Sequence, residues 1–283
     1  MDGILLIDKP AGPTSHDVVA RVRSALGQRR IGHAGTLDPG ATGLLVLALG
    51  RAAGLLAYQP NQEKEYRFAV RFGRATDTDD SAGKVLRETD ASRLTRKDVE
   101  RQLGAFRGTL RQVPPRYSAV RVGGRRLHEA ARRGEILMAA PRAVRVLRLE
   151  LTGWTPPVAE FEILCSKGTY LRALARDLGE ALGVGGSVEW LRRTAAGPFR
   201  VEDAASPDFP PPDLCRRLLA PDVMLLDLPE IRLAPSDADA FGQGRPFPRA
   251  HPPGLLRVYE DSRFLGVGES DGRTVRPRRV VGS

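Results

Sequence analysis

The chain has 283 residues, 41% of them hydrophobic, which excludes an intrinsically disordered protein and suffices for one core of roughly 200 residues plus a smaller second domain. No apolar run approaches the roughly 18 residues a membrane span needs, and the opening MDGILLIDKPAG lacks the basic start and long apolar stretch of a signal peptide, so a soluble, cytoplasmic protein without membrane contact is expected. The net charge of +10 points to a polyanionic partner, while two distant cysteines, Cys165 and Cys215, in no C-x-x-C pair, argue against a disulfide framework and against a zinc site.

In chain order, GILLID predicts a strand. TSHDVVARVRSALG predicts a helix, with Thr14 or Ser15 as its cap, an apolar stripe through Val18, Val22 and Leu26, and Gly27 as its stop. A loop follows, carrying Asp38 between Leu37 and Pro39, and GLLVLALG then reads as a strand buried on both faces. KEYRFAVRFG alternates Tyr66, Phe68, Val70 and Phe72 against charged residues, as a half-buried strand does, and TDTDDSAGK has the residues of a turn. TRKDVERQLGAF opens with Thr95 and Asp98 in a capping-box spacing. AEFEILCSKGTYLRALARDLGEALG predicts a strand, a tight Ser166-Lys167-Gly168 turn and a helix with Leu171, Leu174, Leu178 and Leu182 on one face. Elements of both kinds alternate irregularly, so the fold class expected is α+β (mixed α/β), not a doubly wound sheet. Prolines at 207, 210, 211, 212 and 221 predict a linker, dividing a domain at 1–222 from a small β-rich module at 226–283 with strands at GLLRVYE, RFLGVGES and RTVRPRRVV.

Charge is unevenly distributed. Between residues 107 and 148 stand eleven arginines (107, 111, 116, 121, 125, 126, 132, 133, 142, 145 and 148) against two glutamates, 129 and 135, so nearly the whole positive excess lies in one segment. Arginine meets phosphate through planar, bidentate contacts, which makes nucleic acid the expected partner. There is no P-loop, no dinucleotide-binding glycine fingerprint after the first strand, no H-E-x-x-H and no G-x-S-x-G, so neither a cofactor nor a metal is expected. Asp38 in an Asp-Pro turn has a plain reading as a turn residue. Glycines at 32, 35, 40 and 43 allow close backbone approach, however, and the loop leads into buried structure, which places the acid well for chemistry.

The stretch GHAGTLDPGATG resembles the signature of the TruB family of pseudouridine synthases, whose catalytic aspartate falls at Asp38. More segments agree in order. GILLIDKPAGPTSHDVV is similar to the family's Lys-Pro motif, KEYRFAVRFGRATDTDDSAG to its tyrosine motif, QVPPRYSAVRVGGRRLHEAARRGE to its RNA-binding insertion, and SKGTYLRALARDLGEALG to its arginine motif; VEWLRRTAAGPF also fits.

The resemblance implies isomerisation of uridine to pseudouridine in the T-loop of tRNA, at position 55, without metal or cofactor, by a monomer that engages the T-arm and elbow. It implies Asp38 as nucleophile or as the base removing a ribose proton, and Arg172 as its ion-pair partner. Tyr66 would stack on the flipped base, His33 would enter the vacated T-loop space, Tyr170 and Leu191 would surround the uracil, and Asp80 would lie near the substrate loop. Lys9 and Pro10 would support the site. The insertion, at about 108–137, would bind RNA through Arg125, Arg126, Arg132 and Arg133, and residues 226–283 would form a PUA-like RNA-binding domain. Three other readings stay open on the sequence alone: a guide-RNA-dependent synthase, whose kind lacks such an insertion, a non-catalytic tRNA chaperone, which would need no acid at position 38, and a purely structural ribosome-associated protein.

Overall fold

The computed structural model describes residues 1–60, 62–135 and 137–282. The chain forms two compact units: Met1–Pro39 with Gly43–Asn61 and Gly197–Ser283, and Gly40–Thr42 with Gln62–Ala196.

The first unit begins with β1 (Gly3–Lys9), α1 (Ser15–Leu26), β2 (Ile31–His33) and β3 (Thr42–Leu49). The cap of α1 is Thr14, whose side chain accepts from the Asp17 amide while Asp17 returns a bond to the Thr14 amide, and Gly27 ends the helix in the left-handed conformation. β1 and β3 pair antiparallel from Gly3–Leu49 to Lys9–Gly43. Val18, Val19 and Val22 of the helix meet Leu5, Ile7, Leu45 and Leu47 in one core. The segment read as an unbroken loop before Asp38 contains β2, which pairs with β3. Three residues are too few for a period to register in a sequence, so pairing decides this element.

The second unit carries β4 (Lys64–Phe72), a hairpin of β5 (Arg74–Thr76) and β6 (Val85–Glu88), α2 (Arg96–Gln102) and β7 (Gly108–Gln112). The arginine-rich insertion adds β8 (Arg121–Val122), β9 (Arg125–Arg126) and α3 (Leu127–Arg132); Ile136 of the insertion lies outside the described residues. Then come β10 (Arg142–Thr155), β11 (Val158–Cys165), α4 (Leu171–Ala181) and β12 (Gly186–Ala196). Within this unit the strand order is β12–β4–β11–β10–β7, all neighbours antiparallel. Phe68 of β4 stacks on Phe161 of β11 with ring centroids 5.2 Å apart. Gly179 lets α4 lie against the turn into β12: a Cβ there would stand 2.2 Å from the Gly185 carbonyl carbon.

The chain returns to the first unit with β13 (Phe199–Arg200) and α5 (Pro211–Arg216). The proline-rich tract is not the solvated linker the sequence predicts. Ala205 and Leu219 hydrogen-bond the backbone of β1 at Leu6, Asp8 and Ile4, and Leu214 is fully buried in the core beside Leu5 and Ile7. Proline fixes the backbone without preventing burial of the apolar residues between prolines, and here those residues decide. The chain closes with β14 (Glu230–Arg232), α6 (Pro235–Gly242), β15 (Phe247–Pro248), β16 (Gly254–Glu260), β17 (Arg263–Ser270) and β18 (Thr274–Val280), in the sheet order β14–β16–β17–β18–β15 around Phe241, Leu256, Val258 and Val275.

Candidate active site

Asp38 stands on the loop between β2 and β3, half-buried, with both neighbours fixed. On one side the buried Ser15 hydroxyl accepts from the Leu37 amide at 2.9 Å and donates to the Leu37 carbonyl at 3.0 Å. On the other, the Pro39 carbonyl accepts from Lys9 Nζ at 3.1 Å and from the Gly12 amide at 2.9 Å. The sharp approach is made at Gly35, whose φ of 95° disfavours any residue with a Cβ. Lys9 is fully buried, and its second bond runs to the Pro10 carbonyl at 3.0 Å. Burial pulls its ammonium pKa down, while the charges of Asp38 and Asp17 act in the opposite direction. The backbone on both sides of Asp38 is thus held, and a buried ammonium lies in the field of its carboxylate. His33, on β2, sets its ring edge-on to His16 with centroids 5.5 Å apart.

In the second unit, α4 presents Arg172 in its first turn. Arg172 is 6% exposed, donating Nη1 to the Thr78 carbonyl at 3.0 Å and Nη2 to the Tyr117 carbonyl at 2.9 Å, with Asp80 at 3.9 Å. Asp80 is held by the Thr78 hydroxyl at 2.6 Å and the Ala82 amide at 3.1 Å, and its backbone bridges to Val188. Tyr170 caps α4: its amide donates to Gln112 Oε1 and its carbonyl accepts from Gln112 Nε2, while its side chain packs on Val120 and Leu127 of the insertion and on Ala139 just beyond it. Tyr66 is buried on β4, opposite Ile163 on one neighbour and Arg193 on the other. Leu191 is opposite Phe68 on β12, and its carbonyl accepts from Thr42 Oγ1 at 3.4 Å. The unit thus gathers Arg172, Asp80 and Tyr170 at the start of α4, and sets Tyr66 and Leu191 on adjacent strands.

All eleven arginines between 107 and 148 are exposed. Arg125 pairs with Glu135, and Arg126 with Glu129 at 3.3 Å, whereas Arg132 and Arg133 make no ion pair among the described residues. No group of three or more His, Cys, Asp or Glu with metal-binding geometry occurs among the described residues.

A family model described as "TruB family pseudouridylate synthase (N terminal domain)" matches residues 23–171. The chain belongs to the TruB family. The models "tRNA pseudouridylate synthase B C-terminal domain" and "Pseudouridine synthase II TruB, C-terminal" match residues 172–207 and 229–281. A tRNA pseudouridine synthase B of Gloeobacter violaceus is 44% identical over 99% of both chains, and one of Symbiobacterium thermophilum is 48% identical over 83% of this chain and 79% of its own. Among solved structures, a chain of an H/ACA RNP bound to a substrate RNA containing 2'-deoxyuridine superposes with a TM-score of 0.73 at 22% identity, covering 98% of this chain and 84% of that one, a likeness of fold. The TruB fold is therefore the mixed α+β architecture read from the sequence, with its β-rich C-terminal part.

The second unit of this TruB-family chain also holds polar residues the sequence reading passes over. Arg193 is fully buried opposite Tyr66, and Lys64, on the same face of β4, has its pKa pushed down to about 8, first by burial and then by Arg193. Asp79 and Arg176 form an ion pair at 3.0 Å beside Arg172. Only the spacing of Arg176, four residues after Arg172 on one helix face, could have marked that pair in advance.

Proposed function

We propose that the chain converts uridine to pseudouridine at position 55 in the T-loop of tRNA, acting alone, as a monomer and without metal or cofactor. The observation that carries this reading is Asp38: an acid fixed at both flanks by Ser15 and Lys9, in a chain of the TruB family. The reaction breaks the N1–C1′ bond, turns the uracil and joins C5 to C1′. Asp38 serves either as the nucleophile or as the base that takes a ribose proton, and Arg172 holds its carboxylate ionised and aimed. A guanidinium has five donors in a planar fork, so it can hold two loop carbonyls and still serve a carboxylate.

Extruding the uridine costs a few kcal/mol of unstacking. Tyr66 offsets part of this by stacking on the base, Tyr170 and Leu191 enclose the uracil, Asp80 orients the loop against Arg172, and His33 fills the space the base leaves. The insertion at 108–137 contacts the tRNA elbow through Arg125, Arg126, Arg132 and Arg133. Residues 1–222 form the catalytic part and residues 226–283 a PUA-like RNA-binding part. The test is incubation with an unmodified tRNA transcript, followed by carbodiimide-dependent primer stops. A new stop at position 55 alone supports the reading; no stop at that uridine, or stops only when a guide RNA is added, overturns it.

A further inference from the structure

Two arginines one helical turn apart on α4 hold the same two segments. Arg172 reaches the Thr78 carbonyl on the turn between β5 and β6 and the Tyr117 carbonyl in the insertion. Arg176 reaches the Asp79 carboxylate on that turn at 3.0 Å and the Val113 carbonyl at the root of the insertion at 3.1 Å, and is braced by Asp177 at 2.8 Å. Asp79 is buried and has φ of 60°, a left-handed conformation uncommon for a residue with a side chain, and its carbonyl accepts from the Val188 amide on β12. Burial raises the Asp79 pKa to about 6 against the pull of Arg176 and Arg172. Backbone conformation and desolvation of the charge both count against an aspartate here, and costs of this kind collect at functional sites.

We propose that the Arg176–Asp79 ion pair is a positioning device that locks the turn carrying Asp80 and the root of the arginine-rich insertion into the arrangement that aims Arg172. The proposal rests on the reading of Asp38 and Arg172 given above. It assigns Arg176 no contact with the substrate. Docking of tRNA on the insertion reaches α4 through three joints, Gln112 to Tyr170, Tyr117 to Arg172 and Val113 to Arg176, and the last of these carries the shorter ion pair to the turn, 3.0 Å to Asp79 against 3.9 Å from Arg172 to Asp80.

The test compares single-turnover rate at saturating tRNA with the Kd for tRNA in Arg176→Met, Asp79→Asn and the double variant. Arg176→Met should lower the rate about tenfold with Kd held within about threefold, the pattern of misplaced rather than missing machinery. Asp79→Asn should give a loss of the same kind, and the double variant should be no slower than Arg176→Met, because both remove one interaction. Asparagine suits the left-handed φ at least as well as aspartate and carries no charge to desolvate, so Asp79→Asn should melt no lower than wild type at neutral pH. Asp79→Asn therefore remains a valid test if Arg176→Met fails to fold. The wild-type rate should fall as pH drops through about 6, where Asp79 takes a proton, and Asp79→Asn should lose that dependence. The charges facing Asp79 are Arg176, Arg172 and Asp177 from α4, Asp77 and Asp80 on its own turn, and Arg116 of the insertion, which lines the same cavity. Unchanged rates, losses that add in the double variant, losses confined to Kd, or an unaltered pH profile in Asp79→Asn would each overturn the proposal. Asp38→Asn run alongside separates the two failures: activity in that variant defeats the reading of the site, whereas an inactive Asp38→Asn with a fully active Arg176→Met defeats only the positioning role.

Discussion

Ser15 shows how much the loop carrying Asp38 depends on a buried group far away in sequence. Its hydroxyl both accepts from and donates to Leu37, next to Asp38 in the chain. Ser15→Ala should cost about 1–3 kcal/mol, because it leaves a buried amide and carbonyl unsatisfied, and should slow turnover while tRNA affinity is kept; thermal melts and single-turnover kinetics check the two effects. The place of Asp38, on a loop leading into a buried strand, was legible in the sequence, since the apolar run after it is buried on both faces. Its supports were not. Ser15 reads as a helix cap and lies 22 positions from Leu37, and only the fold brings them together. Asp79 and Arg176 were hidden for the same reason, separated by 97 positions and placed in a turn and a helix whose sequences announce nothing of the pair.

Elements with a strong period appear where the sequence predicts them. α1 runs from its Thr14 cap to Gly27, β3 and β4 carry the expected burial, and α4 follows the tight turn at Ser166–Gly168. β2 and the packed proline tract differ because pairing and burial by distant residues decide them, and neither leaves a local period. The insertion is the element whose chemistry is most open to test. Surface ion pairs are worth about 0–1 kcal/mol, so Glu135 and Glu129 restrain Arg125 and Arg126 weakly, yet their carboxylates stay beside any phosphate that arrives. Among the described residues Arg132 and Arg133 make no such pair. Neutralising Arg132 and Arg133 should therefore weaken tRNA binding more than neutralising Arg125 and Arg126. Removing all four should flatten the salt dependence of binding by about 0.7 for each phosphate that is no longer neutralised, measured by filter binding across a salt series. An unchanged slope and affinity in the fourfold variant would remove the insertion from the interface.

At the scale of the molecule, residues from 226 onward are bonded to the rest of the first unit: the Tyr58 hydroxyl donates to the Arg278 carbonyl at 3.0 Å, and the Tyr259 hydroxyl donates to Asp222 at 2.6 Å. Burial, with the Asp222 charge, pushes the Tyr259 hydroxyl pKa up to about 12, so it stays a donor across the physiological range. A chain ending near residue 226 should melt at a lower temperature and bind tRNA more weakly, but it keeps Asp38, Arg172 and the insertion and should still isomerise saturating tRNA. A folded truncation with no activity would show that the C-terminal sheet is part of the catalytic machinery. The most direct measurement of all is made on the full chain carrying Asp38→Asn. The substitution keeps the shape of the side chain and removes its charge, so it can neither attack C1′ as a carboxylate nor take a ribose proton, while Tyr66, His33 and the insertion, to which the proposal gives binding and flipping of the base, are unchanged. The variant should bind unmodified tRNA within about tenfold of wild type, melt at nearly the same temperature, and form no pseudouridine at any pH. Near wild-type formation of pseudouridine by Asp38→Asn would contradict the assignment of the reaction to this residue.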